Sequence, residues 1–568
     1  MAYDLLIKSG RIIDGSGRPA YTGDLAIQDG RIAEIGKLDG SARRVIDADG
    51  LAVCPGFIDI HTHYDAQVLW DPLFSPSSWN GVTTCIMGNC GFTIAPCKPE
   101  DRDYLMHMLA RVEGMSLEAL QAGPEWDWVS TGEYIDAVDK PLAINVGCLV
   151  GHSAVRYYVM GEASLEREAT ADELGRMKDL LRQGMAAGAV GFSTSKARTH
   201  VDWSGNPIPS RFSTHQEVHE LVQVLGEFNF GSVEMTPGSL PGIDDEEREA
   251  MIRMSRDSGR FLNWNELFQS PAAPDAWRGV LDFLASASHQ GARIFGICAC
   301  QPTTQDWDLL DNNLLLLTLP EWNEVLTKPI QEKLRLLADP AYRDRIRAGI
   351  DRGWDQGPPP LKWDIGLVAE PKRPENQRFA GIGLRELGAS QGKHPLDAML
   401  DLAVAEGLRT GFAFKASRNL DDDAVAEIMR SPYTILGISD AGAHVNMLSG
   451  AEYSTHVLGH WVRERGVLSL EDAVKKLTFM PASLLGFTDR GLLSPGMAAD
   501  VLVFDPETVR PLPKEKAFDL PNGDERIIVR SQGIHHTIVN GQPVMEDGRH
   551  TEAFPGRVIR STDYVSVP

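Results

Sequence analysis

The stretch PGFIDIHTHYD at residues 55–65 contains a nearly continuous apolar run that ends in His61, Thr62 and His63. In a β-strand alternate side chains point to the same side, so the two histidines face one way. Apolar runs of this kind are typical of parallel strands that helices cover on both faces of a sheet. We therefore predict a buried parallel strand with two imidazoles at its carboxyl end.

Seven further runs of the same kind follow along the chain, separated by segments with helical periodicity. They are GVTTCIMGNCG from Gly81, LAINVGCLVGH from Leu142, AVGFSTSK from Ala189, GSVEMTPG from Gly231, RFLNWNELF from Arg260, RIFGICACQP from Arg293 and YTILGISDAGAH from Tyr433. A capping box at Thr170 and Glu173 indicates the start of one intervening helix. Eight strand–helix units predict an α/β fold with a (β/α)8 TIM-like barrel rather than an open sheet.

The two ends of the chain have a different pattern from its middle. Residues 1–53 and 490–568 contain short β-branched runs separated by Asp-Gly and Ser-Gly turns, which are typical of hairpins. We predict that they form one composite β-sandwich domain and that residues 54–489 form the barrel. The segment 302–430 is too long for one crossover, so we expect an insertion or lid there, between the seventh and eighth barrel strands.

Composition excludes several classes of protein. The 568 residues carry 55 Lys and Arg against 79 Asp and Glu, a formal charge of −24, which argues against a nucleic-acid surface. Seven cysteines are too sparse for a disulfide-stapled secreted domain, and the chain has no run of 18 apolar residues. We expect a cytoplasmic protein that forms a homo-oligomer and has no nucleic-acid or membrane partner.

The last apolar run ends in Ser439 and Asp440, and in a closed barrel the eighth strand lies beside the first. Barrel enzymes place their chemistry at the carboxyl ends of the strands. There His61, His63 and Asp440 can bind a divalent cation, or Asp440 can take a proton from water bound to that cation. The alternatives are two ordinary polar residues at a strand end and an aspartate that caps the next helix.

Several motifs resemble those of the amidohydrolase superfamily. PGFIDIHTH at residues 55–63 resembles its opening motif, and GMAADVLVF at residues 496–504 matches its composite β-domain. Within the superfamily, the chain is most similar to the N-acyl-D-amino-acid deacylase (D-aminoacylase) branch. The motifs that carry this similarity are HYDAQ from His63, GNCG from Gly88, GH from Gly151, GFST from Gly191 and GISD from Gly437.

The resemblance implies hydrolysis of a non-peptide C–N amide bond by a metal-activated water. It implies that His61 and His63 bind metal and that Asp440 is both ligand and general base. In the deacylases the cysteine of the GNCG motif is also a ligand, and that position is Cys90 here; a small buried cysteine beside two glycines is the alternative. The expected cofactor is zinc, as one or two divalent ions, with manganese or cobalt as other candidates.

Two departures from the family pattern affect the metal site and the substrate. Family members usually carry one histidine at the end of the fifth strand and another at the sixth, and both are missing here. We expect the second metal site to be crippled or rebuilt from Glu234, Asn265 or Glu266. The deacylases hold the substrate carboxylate with an arginine shortly after the eighth-strand aspartate, but residues 441–455 contain none. The substrate therefore need not be an N-acyl-D-amino acid.

Three further residues are weaker candidates for the site. Lys196 ends the fourth run, and relatives outside the deacylase branch carry a carbamylated, metal-bridging lysine on this strand; a surface or ion-paired lysine is the alternative. We place Cys90 ahead of Lys196 because the GNCG motif is intact. His152 and Arg156, just beyond the third strand, either contact a substrate carbonyl or carboxylate or anchor a loop.

The leading hypothesis is thus a metal-dependent amidohydrolase with a small-molecule amide substrate and Asp440 as general base. The same residues could hydrolyse a cyclic amide, a carbamate or an ester. A barrel that has lost turnover and acts as a binding protein is another alternative, because the fifth- and sixth-strand histidines are missing.

Overall fold

The chain begins with five strands of a β-rich domain. The structure is a computed structural model that describes residues 2–310, 316, 319–352, 363–414 and 418–565. Asp29 and Gly30 both have positive φ angles, as the predicted Asp-Gly hairpin turn requires. The strands are β1 (Tyr3–Ile12), β2 (Tyr21–Gln28), β3 (Arg31–Gly36), β4 (Ala42–Asp47) and β5 (Ala52–Pro55).

The predicted barrel follows, and seven of its eight strands come in direct succession. Each pairs in parallel with the next one along the chain. Strands two to five are buried along their whole length, because helices cover them outside and the barrel core fills the inside. The strands are β6 (Phe57–Asp59) continued by β7 (His61–Thr62), then β8 (Val82–Met87), β9 (Asn145–Gly151), β10 (Gly191–Ser195), β11 (Ser232–Thr236), β12 (Phe261–Leu267) and β13 (Ile294–Cys298).

Helices connect these strands and cover the barrel. The predicted capping box is present: Thr170 Oγ1 accepts a hydrogen bond from the backbone N–H of Glu173 and thereby starts the longest of them. The helices are α1 (Arg102–Val112), α2 (Leu117–Ala122), α3 (Thr131–Val138), α4 (His152–Met160), α5 (Ala171–Ala187), α6 (His215–Phe228), α7 (Asp245–Ser258) and α8 (Ala276–His289).

The predicted insertion between the seventh and eighth strands is a folded unit in its described parts. Its three strands form an antiparallel sheet around a separate hydrophobic core that includes Trp307, Trp322 and Phe412. Its elements are β14 (Gln305–Trp307), α9 (Pro320–Leu326), α10 (Ile330–Ala338), α11 (Pro340–Arg352), β15 (Gly366–Glu370), α12 (Leu384–Gln391), α13 (Pro395–Ala405) and β16 (Gly411–Phe414).

The eighth strand closes the barrel. It consists of β17 (Thr434–Ile435), which pairs with β13, and β18 (Ile438–Ala441), which pairs in parallel with β7 of the first strand. This closure confirms the predicted barrel and sets the last strand beside the first. The helices around it are α14 (Asp422–Arg430), α15 (Tyr453–His456), a π-helix (Val457–Glu464), α16 (Leu470–Leu477) and α17 (Phe479–Leu485).

The C-terminal part returns to the β-rich domain, as predicted. There β19 pairs antiparallel with β5, so one nine-stranded sheet contains strands from both ends of the chain. The domain boundaries at residues 53–54 and 489–490 stay predictions. The strands are β19 (Val501–Phe504), β20 (Arg510–Pro511), β21 (Glu515–Ala517), β22 (Arg526–Ile528), β23 (Ser531–Gln532), β24 (Ile534–Val539), β25 (Gln542–Glu546) and β26 (Arg549–His550).

Among the described residues, no helix has both the length and the apolar character needed to cross a bilayer. The cytoplasmic location and the homo-oligomeric state expected from the sequence stay predictions.

Candidate metal centre

The closure of the barrel brings together three of the predicted ligands. Because β7 and β18 are neighbours, Asp440 lies beside the two histidines of the first strand. Its Oδ1 atom is 3.5 Å from Nε2 of His61 and 3.2 Å from Nε2 of His63. Both histidines are almost completely buried, whereas one third of the Asp440 side chain is exposed. The two imidazoles therefore form the floor of a site whose carboxylate is open to solvent.

Cys90 adds a fourth donor. It lies in the turn after β8, and its Sγ atom is 3.6 Å from Nε2 of His61. Ligand atoms of His61, His63 and Cys90 all lie within 4.8 Å of one another. The predicted association of the GNCG cysteine with the first-strand histidines is thus present in the geometry.

These distances fit a shared divalent ion. Two ligand atoms about 2.1 Å from a tetrahedral ion lie about 3.4 Å apart, close to the separations found here. Neither ring nitrogen of His63 has a hydrogen-bond partner among the described residues, nor has Nδ1 of His61, although all three are buried. Unpaired buried nitrogens beside a thiol and a carboxylate are the donor set that zinc prefers.

The charges of the site are strongly coupled. Burial lowers the pKa of His61 to about 3, helped by the neighbouring His63. Burial also opposes the charge of His63, but the carboxylates of Glu113 and Asp440 outweigh it and raise its pKa to about 9. For Asp440 burial acts against ionisation, yet the contact with His63 holds its pKa well below the usual range. Without metal, the site therefore pairs a protonated His63 with an ionised Asp440.

Strands five and six support Cys90. Glu234 of β11 accepts a hydrogen bond of 2.7 Å from the backbone N–H of Cys90 and one of 3.2 Å from Thr236 Oγ1. Asn265 of β12 donates to the same Thr236 hydroxyl at 3.2 Å. Glu234 and Asn265, two of the replacement ligands considered above, thus lie next to the cysteine. The third, Glu266, is ion-paired with Arg418.

Three residues at the site have strained backbones. The φ angles of Cys90, Asp440 and His444 are +56°, +57° and +51°, in the left-handed region that favours glycine. Each such residue costs of the order of 1–3 kcal/mol. The surrounding fold holds these side chains in place against that cost, as is common at functional sites.

A cavity of about 360 Å³ opens beside Asp440. Its walls come from the end of β13, from β18, from the segment before α14 and from the β-rich domain. Two cationic side chains line it: Arg418, ion-paired with Glu266, and Lys514, ion-paired with Asp306. The cavity gives a small molecule access to the exposed carboxylate.

The structure does not bring Lys196 to this cluster. Its Nζ atom donates hydrogen bonds to the carbonyl and the hydroxyl oxygen of Ser213. Burial lowers its pKa to about 8, and the nearby charges are those of Glu217, Arg156, Glu247 and Arg211. These contacts hold the amine away from the cluster of His61, His63 and Cys90, and the carbamylated form stays a prediction.

His152 and Arg156 also lie apart from the metal cluster. Both are completely buried and share one partner, because Glu217 Oε1 is 2.9 Å from His152 Nε2 and 2.7 Å from Arg156 Nη1. Arg156 further donates to the backbone carbonyl of Arg167. These are the contacts of loop-anchoring residues, and the substrate-binding role stays a prediction.

Two residues of the site were missed by the sequence reasoning. Glu113 follows α1 and reaches within 3.6 Å of His63 Nδ1. His200, in the loop after β10, lies 2.8 Å from Ser195 Oγ through Nδ1, and burial together with the charge of His63 lowers its pKa to about 3. For His200 a signal was available, since it stands four residues after Lys196 at the mouth of the barrel.

The comparisons with known proteins agree with this geometry. A model of the amidohydrolase family matches residues 44–545. The D-aminoacylase of Alcaligenes xylosoxydans xylosoxydans is 30% identical over 566 residues, covering 99% of this chain and 98% of the relative. A similar solved structure comes from work on the binuclear metal centre of D-aminoacylase, which describes one-metal activation and second-metal attenuation. It is 26% identical in sequence, has a TM-score of 0.67, and covers 98% of this chain and 100% of that chain.

A second similar structure is N-acyl-D-glutamate deacylase from Bordetella bronchiseptica, complexed with zinc and a phosphonate inhibitor. It is 26% identical at a TM-score of 0.66 and covers 99% of this chain and 100% of that chain. With these relatives, the chain is a hydrolase of carbon–nitrogen bonds other than peptide bonds. The chain belongs to the amidohydrolase family, and its predicted place in the D-aminoacylase branch is confirmed.

Proposed function

We propose that this protein is a metal-dependent deacylase that removes the acyl group from an N-acylated amino acid or a close analogue. One observation carries the proposal: Asp440 Oδ1 lies 3.2–3.5 Å from the Nε2 atoms of two buried histidines and faces a cavity large enough for a small molecule. The relatives named as D-aminoacylase and N-acyl-D-glutamate deacylase support the substrate class.

The residues that would hold the ion are His61, His63, Cys90 and Asp440. A divalent ion bound there would activate a water molecule and polarise the substrate carbonyl. Zinc suits a set that contains a thiol and two imidazoles, whereas manganese or cobalt would depend more on the carboxylate.

Asp440 has the features of a proton carrier. Its pKa lies well below neutrality, so it is ionised when the substrate arrives. Its exposed side chain can accept a proton from the attacking water and deliver it to the amine that leaves. The strained φ angle of Asp440 fixes the carboxylate between the histidines and the cavity.

Arg418 is the residue that we propose for the substrate carboxylate. It takes over the task for which residues 441–455 contain no arginine, and it lines the same cavity as Asp440. A guanidinium group binds a carboxylate through two parallel hydrogen bonds. Glu266 holds Arg418 by an ion pair before the substrate binds.

The test is a substrate panel with purified, zinc-loaded protein. It contains N-acetyl-D- and N-acetyl-L-amino acids, the matching amino-acid amides without a free carboxylate, and cyclic amides, carbamates and esters. We expect turnover of N-acyl-amino acids and a higher KM after Arg418→Gln, with no change after Arg345→Gln on the insertion surface. Preference for a cyclic amide, carbamate or ester would replace this substrate class, and zinc-independent or absent turnover would contradict the function.

A further inference from the structure

Glu113 is fixed at the metal centre by its backbone. Its N–H donates to the carbonyl of Leu109 at the end of α1, and its own carbonyl accepts a hydrogen bond from the N–H of His444. The side chain is only 3% exposed. The segment between α1 and α2 is thereby held against His444, with the carboxylate of Glu113 near His63.

The carboxylate of Glu113 has no hydrogen-bond donor among the described residues. Its neighbours include His63, Asp440, Asp65 and Glu234, so three of the four are acidic. An unpaired carboxylate is costly to bury, and buried charges are normally paired or bound to a metal. An ionised Glu113 therefore needs a cation, which the described side chains supply only through His63.

Glu234 makes the contrast clear. It is equally buried, but it accepts hydrogen bonds from the backbone of Cys90 and the hydroxyl of Thr236. Its oxygens are occupied in holding the cysteine loop. Of the two buried glutamates at the site, Glu113 is thus the one whose carboxylate accepts no hydrogen bond from a described residue.

Glu113 lies within reach of an ion bound by His63 and Asp440. Its Oε1 atom is 3.6 Å from His63 Nδ1, which is too long for a hydrogen bond. One imidazole offers an ion only one nitrogen, so the ion would bind His63 either at Nδ1, next to Glu113, or at Nε2, next to Asp440. Ligand atoms of Glu113, His63 and Asp440 all lie within 4.8 Å of one another.

We propose that Glu113 is a metal ligand that, together with His63 and Asp440, compensates for the histidines missing from the fifth and sixth strands. The inference rests on the proposed function, because it requires the same centre to bind a divalent ion. With Glu113 as a ligand, oxygen atoms replace some of the nitrogen ligands that the family uses. The extra ligand comes from the segment between α1 and α2.

The rival role for Glu113 is that of a positioning residue that accepts a hydrogen bond from His63 Nδ1 and orients the ring. Glutamine separates the two roles. Its side-chain oxygen can still accept that hydrogen bond, but a neutral amide is a much weaker ligand than a carboxylate.

The experiment measures zinc binding by full-length protein in competition with a chromogenic chelator, and the absorption spectrum of the cobalt-substituted protein. Glu113→Gln should weaken zinc binding by more than the roughly 10–100-fold that follows loss of a supporting carboxylate. Its cobalt spectrum should also change in intensity. Glu234→Gln removes the carboxylate that holds the Cys90 loop and measures the smaller loss caused by a supporting residue. Glu118→Gln on the exposed face of α2 should bind zinc as the parent does.

Folding is checked by thermal unfolding, and Glu113→Asp, which keeps a carboxylate, should recover part of the affinity. Zinc affinity and a cobalt spectrum unchanged in Glu113→Gln would overturn the inference, as would a loss confined to Glu234→Gln. If Asp440→Asn and His63→Ala lose zinc while Glu113→Gln keeps it, the proposed function stands and this inference fails. If the parent protein binds no divalent ion, both fail.

Discussion

Asp440 Oδ1 lies 3.2 Å from His63 Nε2. This contact links the last strand of the barrel to the first. The contact favours the charge of both residues: Asp440, together with Glu113, favours the imidazolium of His63, and the imidazolium favours the carboxylate of Asp440. A divalent ion can replace the proton of His63 without loss of this pairing. The first two predictions concern this contact.

Asp440→Asn should lower kcat by about 100-fold or more, because the amide cannot accept the proton from water. The assay is run at saturating zinc, since the substitution also removes an anionic ligand. Circular dichroism should show an unchanged fold. Normal turnover by this variant would contradict the role of Asp440 as general base.

His61→Ala and His63→Ala should each lose tightly bound metal and activity together, because both side chains supply ligand nitrogens. Nδ1 of His61 and both nitrogens of His63 have no hydrogen-bond partner in the described part of the chain. Elemental analysis of the purified variants measures the first effect. His219→Ala is the control, since its imidazole pairs with Asp257 at the surface. Full activity in either first-strand variant would rule out the assignment.

Cys90→Ala should reduce the affinity for zinc more than that for manganese, because a thiolate is a soft donor. Burial and the charges of Glu234 and Glu113 raise the pKa of the free thiol, so a metal is needed to stabilise the thiolate. Cys85→Ala is the matched control, because Cys85 is also buried and lies on β8, just before the turn that carries Cys90. Equal zinc affinities of the two variants would remove Cys90 from the centre.

Lys196→Met should keep the metal content of the parent, and bicarbonate should change the activity of neither protein. The reason is that Lys196 already donates to two oxygens of Ser213, which suit an amine and would repel a carbamate. The lost hydrogen bonds should lower the free energy of unfolding by about 1–2 kcal/mol. Activity that depends on bicarbonate in the parent would place a carbamylated lysine at the centre after all.

Glu217 should make the stability of the barrel pH-dependent. Burial opposes its charge, but His152 and Arg156 outweigh this and lower its pKa from 4.5 to about 2. A carboxyl group with a lowered pKa stabilises the fold above its ordinary pKa, and the contribution is lost as the pH falls from 4.5 towards 2. The loss should reach about 3 kcal/mol.

Urea unfolding at several pH values measures that loss. Glu217→Gln should be less stable than the parent at neutral pH, because Arg156 is left buried without a charged partner. Its stability should fall less steeply between pH 4.5 and 2. Parallel pH profiles of parent and variant would show that this network contributes little.

The barrel could be read from the sequence because its strands are short apolar runs that helices cover on both faces. The runs from Gly56 and Tyr433 end in His61 and Asp440, and closure of the barrel then dictates that these residues meet. Cys90 required the family resemblance, since a cysteine between glycines has no periodic signal. The insertion was predicted as a segment, but its own core around Trp307 was not, because its three strands pair with long gaps in sequence.

Glu113 could not be found in the same way. An acidic residue just after a helix ordinarily lies in solvent, and nothing in the sequence around it marks a buried position. Its burial results from the loop folding back on His444 and His63, which are distant in sequence. For Lys196, the place at a strand end suggested a possible ligand, and in this structure its side chain donates to Ser213; the carbamylated form stays a prediction.

The left-handed backbone at Cys90, Asp440 and His444 has a practical consequence for anyone who engineers this protein. Glycine would relieve the strain at each position, so a library screened for heat resistance alone should enrich glycine there. Variants with glycine at Cys90 or Asp440 would survive longer at high temperature and yet lose a proposed metal ligand and the turnover that depends on it. Such a screen should hold these three codons constant and seek its gains elsewhere in the chain.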